Sequence, residues 1–253
     1  PRALPLATFV ALVASLRARD HAGALWAVLS LAFLSKIALN VHVLHFGFYL
    51  ALPAAVGLVA LLVGRVPRAL PRRGGEGTVF RAVVLAAVAA GVIVHLRWSQ
   101  ELYRQKTFAL GRGGDVLYAF APAVSPVGPA LARVLEWIER DLPPQATFVA
   151  LPEGVMLNYL GRRRWPARCV NLMMTEILVF GEPQLVRELE ASRPDYVLLV
   201  HKDTREFGGR FGQPGFGRTL VEWVARSYAP LALVGGEPFV GDAFGIRILA
   251  RKE

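Results

Sequence analysis

The first 97 residues consist mainly of long apolar runs separated by short polar turns. The runs cover residues 6–16, 22–39, 46–64 and 80–97. A helix needs about 20 apolar residues to cross the hydrocarbon core of a bilayer, so the third run is long enough and the other three are marginal. Amphipathic helices of a soluble protein show charges every three or four residues, whereas residues 83–94 contain none. The pattern predicts about four transmembrane helices, with core helices of a soluble bundle as the weaker alternative.

Beyond residue 97 the pattern changes to shorter amphipathic helices that alternate with short apolar strands. The predicted helices cover residues 131–142, 184–192 and 219–227. The predicted strands cover residues 147–151, 196–200, 231–234 and 244–250, the last as an edge or terminal strand. Such alternation is typical of a small α/β domain with a partly parallel sheet. The chain is therefore expected to contain a transmembrane region, residues 1–97, and an α/β domain, residues 98–253.

The basic charge of the chain is concentrated in its apolar half. Residues 1–97 carry ten of the 29 Lys and Arg residues but only two of the 19 Asp and Glu residues, so +8 of the net charge of +10 lies there. Lys and Arg beside apolar runs are retained on the cytoplasmic side of a membrane. Between the third and fourth runs lie five arginines and a single acidic residue, Glu76. The arginines are Arg65, Arg68, Arg72, Arg73 and Arg81.

This charge distribution predicts the topology and the location of the protein. The arginine-rich loop is expected in the cytoplasm, and residues 98–253 on the extracytoplasmic side of a bacterial inner membrane. A nucleic-acid-binding protein would instead carry its basic residues on a soluble face among exposed aromatic side chains. Nucleic acid is therefore excluded as a partner, and membrane lipids are expected as one.

Sequence motifs of common enzymes are missing from this chain. It contains neither a GxSxG nor an HExxH motif, and its glycine clusters lack the Lys-Ser/Thr ending of a phosphate-binding loop. The single cysteine, Cys169, excludes an internal disulfide and gives no support for a thiolate zinc site. Hydrolase chemistry therefore has no support, and no metal site or cofactor is identified.

Three polar residues in or beside the second and third apolar runs are candidates for ligand binding. Lys36 lies within an apolar run, where a charge at the bilayer centre costs about 2.5 to 3.5 kcal/mol. Its side chain either reaches the membrane surface along its alkyl stem or binds a phosphate. His42 and His45 are three residues apart, which suits a shared metal, but histidines beside aromatic residues also anchor helix ends at the interface.

A second polar cluster follows the first predicted strand of the α/β domain. It contains Glu153, Asn158 and the consecutive arginines Arg162, Arg163 and Arg164. Ligands of α/β sheets bind beyond the carboxyl ends of the strands, so this is the best-placed polar cluster in the sequence. Guanidinium groups bind phosphate oxygens in a bidentate manner, which suits a lipid phosphate. The alternative is a solvated charge run near anionic headgroups.

Several phrases in the chain resemble a known family. They are LSKIALNVHVLHFGFYLALPA (34–54), LPEGVMLNYLGRR (151–163), RPDYVLLVHKD (193–203) and FGIRILAR (244–251). They are similar to the C-terminal part of bacterial polytopic glycosyltransferases of the GT-C type, which are like protein O-mannosyltransferases. The resemblance covers nearly the whole chain. It rests on general sequence features of the family and not on a catalytic motif.

The resemblance implies an enzyme that takes a sugar from a polyprenyl-phosphate donor at the outer face of the membrane. The acceptor would be a glycan, a lipid or a protein. In that family the catalytic carboxylate lies in the first external loop, and no position of this sequence matches it. No catalytic residue is carried over, and this C-terminal fragment alone is expected to be inactive. The resemblance allows a divalent metal to be bound by the full-length protein.

A second hypothesis belongs to a different class of protein. The chain would be a non-enzymatic, membrane-anchored domain that binds envelope glycans or partner proteins. A transporter fragment is a weaker third interpretation, because transporters have charged or broken helices near the midplane and a small external part.

Overall fold

The computed structural model describes residues 3–36, 48–69 and 75–252. The chain divides into two units, Pro1–Ser99 and Gln100–Glu253. The sequence-based division, between residues 97 and 98, lies close to this one. Helix α5 continues through the division, so the second unit begins within a helix.

The described part of the first unit is helical. Helices α1 (Ala3–Arg17) and α2 (His21–Ser35) are joined by a short turn. Helix α3 (Phe48–Ala60) continues through a π-helical turn, Leu61–Arg65, into α4 (Val66–Ala69). Helix α5 (Glu76–Arg104) is the longest. The described helices therefore overlap each of the four apolar runs of the sequence.

Two stretches within the described ranges are long and apolar enough to cross a membrane, Tyr49–Arg68 with 20 residues and Glu76–Arg104 with 29. Helices α1 and α2 have only 15 residues each. At 1.5 Å per residue, such a helix spans about 22 Å, short of the roughly 30 Å of a hydrocarbon core. The prediction of four transmembrane helices is therefore not supported, and the described residues contain two candidate membrane-spanning helices. Residues 37–39 and 46–47, which belonged to the predicted second and third spans, lie outside the described residues.

A polar contact joins the α1–α2 turn to the end of α3. Asp20 caps α2 by accepting a hydrogen bond from the backbone N–H of Gly23 at 3.1 Å, and it forms an ion pair with Arg65. Arg65 also donates to the hydroxyl of Ser15 at 2.9 Å. These contacts place the turn and Arg65 at the same end of the helix bundle.

The second unit contains two sheets. Strands β1 (Phe108–Leu110) and β2 (Leu117–Ala119) form an antiparallel pair. The larger sheet has the strand order β3–β4–β6–β5, with β3 and β4 parallel and the other neighbours antiparallel. Its strands are β3 (Phe148–Leu151), β4 (Tyr196–Val200), β5 (Tyr228–Gly235) and β6 (Gly245–Arg251).

The helices of the second unit are α6 (Val127–Arg140), α7 (Val155–Leu160), α8 (Met174–Phe180), α9 (Glu182–Ser192) and α10 (Arg218–Ser227). The predicted α/β domain with a partly parallel sheet is confirmed.

Apolar side chains cover both faces of the larger sheet. On β3, Val149 and Leu151 belong to a core with α9 and α10, whereas Phe148 and Ala150 belong to a core with α6 and α7. Successive side chains of a strand point to opposite faces, so a strand covered on both sides has an unbroken apolar sequence. This explains why β3 and β4 were visible as short apolar runs.

The position of the last strand differs from the prediction. Residues 244–250 were predicted as an edge or terminal strand, but β6 lies between β4 and β5, and β5 is at the edge. The edge assignment is therefore wrong, because β6 is hydrogen-bonded to β4 on one side and to β5 on the other. The β1–β2 pair, α7 and α8 were not predicted, because they are too short to show a periodic pattern.

Asp195 joins the start of β4 to the start of β3. Its carboxylate accepts hydrogen bonds from the backbone N–H and the hydroxyl of Thr147, both at 2.9 Å, and from Arg251 at 3.2 Å. Partial burial opposes ionisation of Asp195, but these bonds and the charge of Arg251 outweigh it and lower the pKa of Asp195 below its ordinary value.

Acid is therefore expected to weaken the domain through Asp195. A lowered folded-state pKa contributes stability that is present above the unfolded pKa of about 3.9 and is lost as the pH falls through the folded value. For this partly exposed group we expect a loss of about 1 kcal/mol. Urea midpoints of the chain in detergent, followed by tryptophan fluorescence between pH 5 and pH 2.5, would measure it. Asp195→Asn should reduce this pH dependence, and an unchanged slope would contradict the assignment.

Candidate functional site

The candidate residues of the first unit are only partly described. Lys36 follows the last residue of α2, and its exposed side chain places Nζ 5.8 Å from the ring centroid of Phe33. His42 and His45 lie outside the described residues. The structure therefore brings none of these three candidates into a described site.

Two of the candidates in the second unit stabilise the fold. Asn158 is buried on α7, and its Nδ2 donates to the carbonyl oxygen of Phe148 at 2.9 Å and to that of Arg164 at 3.4 Å. Arg163 donates to the carbonyl oxygens of Gly161, Ile138 and Leu142 at 2.8 to 2.9 Å. The last two carbonyls lie at the C-terminal end of α6, where helices leave carbonyl groups without intrahelical partners.

The three consecutive arginines have different surroundings. The guanidinium of Arg162 lies 4.9 Å from the ring centroid of Tyr159 and forms an ion pair with Asp115. Tyr159 donates its hydroxyl hydrogen to Asp115 at 2.5 Å, and with Arg162 this hydrogen bond lowers the pKa of Asp115. Arg164 is exposed, and its guanidinium has no hydrogen bond or ion pair to any described residue. Of the three, only Arg164 therefore keeps its guanidinium available for an external anion.

The carboxyl ends of β3 and β4 open into a cleft of about 710 Å³, which we call the edge cleft. Residues after both strands contribute to it, Glu153 and Gly154 after β3 and His201, Lys202 and Asp203 after β4. Its apolar wall is formed by Val127, Leu131, Val155, Met156, Val170 and Phe244. The parallel pairing of β3 and β4 brings these two chain segments to the same edge of the sheet.

An ion pair connects the two sides of the edge cleft. Lys202 Nζ lies 2.6 Å from Glu153 Oε1, and both side chains are about two-fifths exposed, 40% and 43%. Glu153 was a sequence-based candidate, whereas Lys202 was missed. A signal for Lys202 existed, because the predicted strand at residues 196–200 ends just before it and the same carboxyl-end rule applies to that strand.

His201 is held in one tautomer beside the ion pair. Its Nδ1 accepts a hydrogen bond from the backbone N–H of Phe239 at 3.2 Å, and its ring packs edge-on against Phe244. A nitrogen that accepts a hydrogen bond carries no proton, so the proton of the neutral ring is on Nε2. His201 thus supplies a hydrogen-bond donor to a residue set that also contains an ammonium and carboxylates.

Asp203 is fixed as a carboxylate. Arg205 donates to it from its guanidinium at 3.0 and 2.8 Å and from its backbone N–H at 3.1 Å, and these bonds hold the pKa of Asp203 well below its usual range. Asp242 lies 3.6 Å from Arg205 and 3.5 Å from Arg210 in the adjoining small pocket. Such a strongly ionised carboxylate is a poor general base, because proton abstraction is most efficient when the pKa of the base is near the working pH.

The composition of the edge cleft indicates the kind of ligand it can bind. Carboxylate, ammonium and imidazole N–H groups form hydrogen bonds with hydroxyl groups, and an apolar wall with Phe244 suits the C–H face of a sugar ring. Within the described ranges no group of three or more His, Cys, Asp or Glu side chains could hold a metal ion. The geometry therefore suits binding of a polyhydroxylated molecule.

Comparisons with known proteins found no match to this chain among family models, curated proteins or solved structures.

Proposed function

We propose that the chain belongs to an integral membrane glycosyltransferase of the GT-C type. The enzyme would take a sugar from a polyprenyl-phosphate donor at the outer face of a bacterial inner membrane and transfer it to a glycan, lipid or protein acceptor. The edge cleft would bind a sugar unit of the acceptor. The α/β domain would then be extracytoplasmic, with the arginine-rich loop in the cytoplasm.

The observation that carries the proposal is the edge cleft in a domain attached to long apolar helices. A polyprenyl donor has to be met within a bilayer, which requires membrane helices such as Tyr49–Arg68 and Glu76–Arg104. A polar acceptor arrives from water and needs hydrogen-bonding groups beside an apolar wall. Glu153, Lys202 and His201 supply such groups. The ends of α1 and α3 joined by Asp20 and Arg65 agree with the proposed topology, because they bring basic residues to one end of the bundle.

A second candidate function is supported by the pairing of the carboxylates. Glu153 is paired with Lys202, and Asp203 is paired with Arg205. Asp203 is too strongly ionised to act as a general base, so the same cleft would also suit a non-enzymatic, membrane-anchored domain that binds envelope glycans or partner proteins.

Transfer from a labelled donor tests the proposal. The full-length protein in proteoliposomes is expected to move sugar from a polyprenyl-phosphate hexose or pentose to an envelope acceptor. The double variant Glu153→Gln, Lys202→Met should raise the KM for the acceptor by about tenfold, equivalent to about 1.4 kcal/mol, and leave the KM for the donor unchanged.

A matched control is the exposed ion pair of Arg218 and Glu222 on α10, at 2.8 Å. Its double variant, Arg218→Met, Glu222→Gln, should leave both KM values unchanged. Glycan binding without transfer from any donor would favour the anchored binding domain. Absence of both transfer and glycan binding would exclude the glycosyltransferase and a glycan-binding domain, and would leave binding of partner proteins as the remaining function.

A further inference from the structure

The end of α8 exposes three consecutive large apolar side chains. Leu178 is 76% exposed, Val179 69% and Phe180 55%. The short helix ends at Gly181, whose φ of +77° stops it directly after these residues. Soluble surfaces expose single apolar residues routinely, but a contiguous group of this kind marks a contact site. We call Leu178, Val179 and Phe180 the α8 tip.

The segment before α8 adds exposed positive charge. Arg164 and Arg168 are both exposed, and neither guanidinium pairs with any residue in the part of the chain that the structure describes. Both arginines lie in the loop between α7 and α8. Phosphate oxygens are the natural partners of unpaired guanidinium groups at a surface.

The acidic residues of the same region are engaged inward. Glu188 accepts hydrogen bonds from the backbone N–H groups of Arg168 and Cys169, and Glu182 accepts from those of Gly217 and Thr219 at 2.7 and 2.8 Å. Glu176 on α8 has its Oε2 atom buried without a hydrogen-bond partner among the described residues. Glu188 and Glu182 therefore serve the fold, whereas the arginines remain available to an anionic partner.

We propose that the α8 tip, with Arg164 and Arg168, is a contact surface for an anionic phospholipid bilayer. The three apolar side chains would enter the headgroup region, and the two arginines would bind lipid phosphates. Short apolar helix ends flanked by arginines bind membranes in this way, through buried apolar area and attraction to anionic lipids.

A bilayer is the favoured occupant because the chain carries its own membrane helices. Tyr49–Arg68 and Glu76–Arg104 are long and apolar enough to cross a membrane, so the α/β domain is tethered beside lipid at a high effective concentration. A weak surface contact then suffices to hold the domain. The inference needs these helices to lie in a bilayer and does not depend on sugar transfer.

Lipid quenching of a single fluorophore tests the contact in the full chain. Cys169 is replaced by serine, which can keep the 2.9 Å hydrogen bond to the carbonyl oxygen of Asn171. A cysteine is then introduced as Leu178→Cys or, as the matched control, as Leu231→Cys on the edge strand β5, where the side chain is 54% exposed. Each variant is labelled with an environment-sensitive dye and reconstituted in vesicles that contain phosphatidylglycerol.

Headgroup-region spin-labelled lipids are expected to quench the dye at position 178 about threefold more strongly than the dye at position 231. Quenching at 178 should fall when phosphatidylcholine replaces phosphatidylglycerol, or when Arg164→Ala and Arg168→Ala are added. Equal quenching at the two positions would overturn the proposal. A blue-shifted dye at 178 without lipid quenching would also overturn it and would indicate a second copy or another protein as the occupant. None of these readouts requires catalytic activity, so their outcome is independent of the transfer assay.

Discussion

Arg163→Ala is expected to lower the free energy of unfolding of the α/β domain by about 3 kcal/mol. Arg163 donates three charged hydrogen bonds to carbonyl oxygens, two of them at the C-terminal end of α6, Ile138 and Leu142. Its removal leaves these carbonyls without a donor and takes a positive charge from the negative end of a helix dipole. Urea unfolding in detergent, followed by the fluorescence of the tryptophans, three of which lie in the α/β domain, measures the change.

The neighbouring Arg164 supplies the control for this prediction. Its guanidinium is exposed and has no described partner, so Arg164→Ala should change the free energy of unfolding by no more than about 0.5 kcal/mol. Arg163→Lys should recover only part of the loss, since one ammonium group cannot reproduce the planar fork that serves three carbonyls. Equal losses for the two alanine variants would show that Arg163 does not cap α6.

The contrast between these arginines shows why a polar cluster in sequence is an ambiguous signal. Arg162, Arg163 and Arg164 were together a candidate anion site, because consecutive guanidinium groups suit phosphate, with a solvated charge run as the alternative. The fold instead uses Arg163 to satisfy backbone carbonyls and pairs Arg162 with Asp115. Which arginine faces inward depends on where α6 ends in space, and no local pattern encodes that position.

The fold was more accessible to sequence reasoning than the site. Strands β3 and β4 were found because both of their faces are buried, which makes their sequences continuously apolar. The place of β6 between β4 and β5 was not predicted, because the apolar sequence of a strand does not show which strands pair with it. Hydropathy predicted four spans, whereas two helical stretches of the described residues are candidate spans and α1 and α2 have 15 residues each in the described ranges.

The edge cleft was found only in part for a similar reason. Glu153 was identified because it follows a predicted strand, but its partner Lys202 lies 49 positions later. Only the parallel pairing of β3 with β4 brings the two together. The hydrogen bond that fixes the tautomer of His201 comes from the backbone of Phe239, a feature invisible to residue-type reasoning.

Asn158→Asp is expected to cost about 3 kcal/mol or more at neutral pH. Asn158 is only 3% exposed, and its Nδ2 donates to the carbonyl oxygen of Phe148 at 2.9 Å. A carboxylate there would bring an acceptor against an acceptor and would bury a charge. Burial raises the pKa of such a carboxyl above its ordinary value of about 3.9.

The sign of the pH dependence makes this prediction specific. With the folded-state pKa raised, the penalty is fully present above that value and shrinks as the pH falls, because the protonated carboxyl can donate to Phe148 in place of the amide. The loss of unfolding free energy relative to wild type should therefore decrease as the pH falls from 7 to 4.

Asn158→Ala, which leaves the carbonyl unpaired without adding a charge, should lower the free energy of unfolding by about 2 kcal/mol at every pH. Asp195 destabilises the domain in acid in the wild type and in the variants alike. Comparing the free energy of unfolding of each variant with that of the wild type at the same pH removes this contribution. A pH-independent loss for Asn158→Asp would mean that water reaches α7 and that the side chain of residue 158 is not enclosed between α7 and β3.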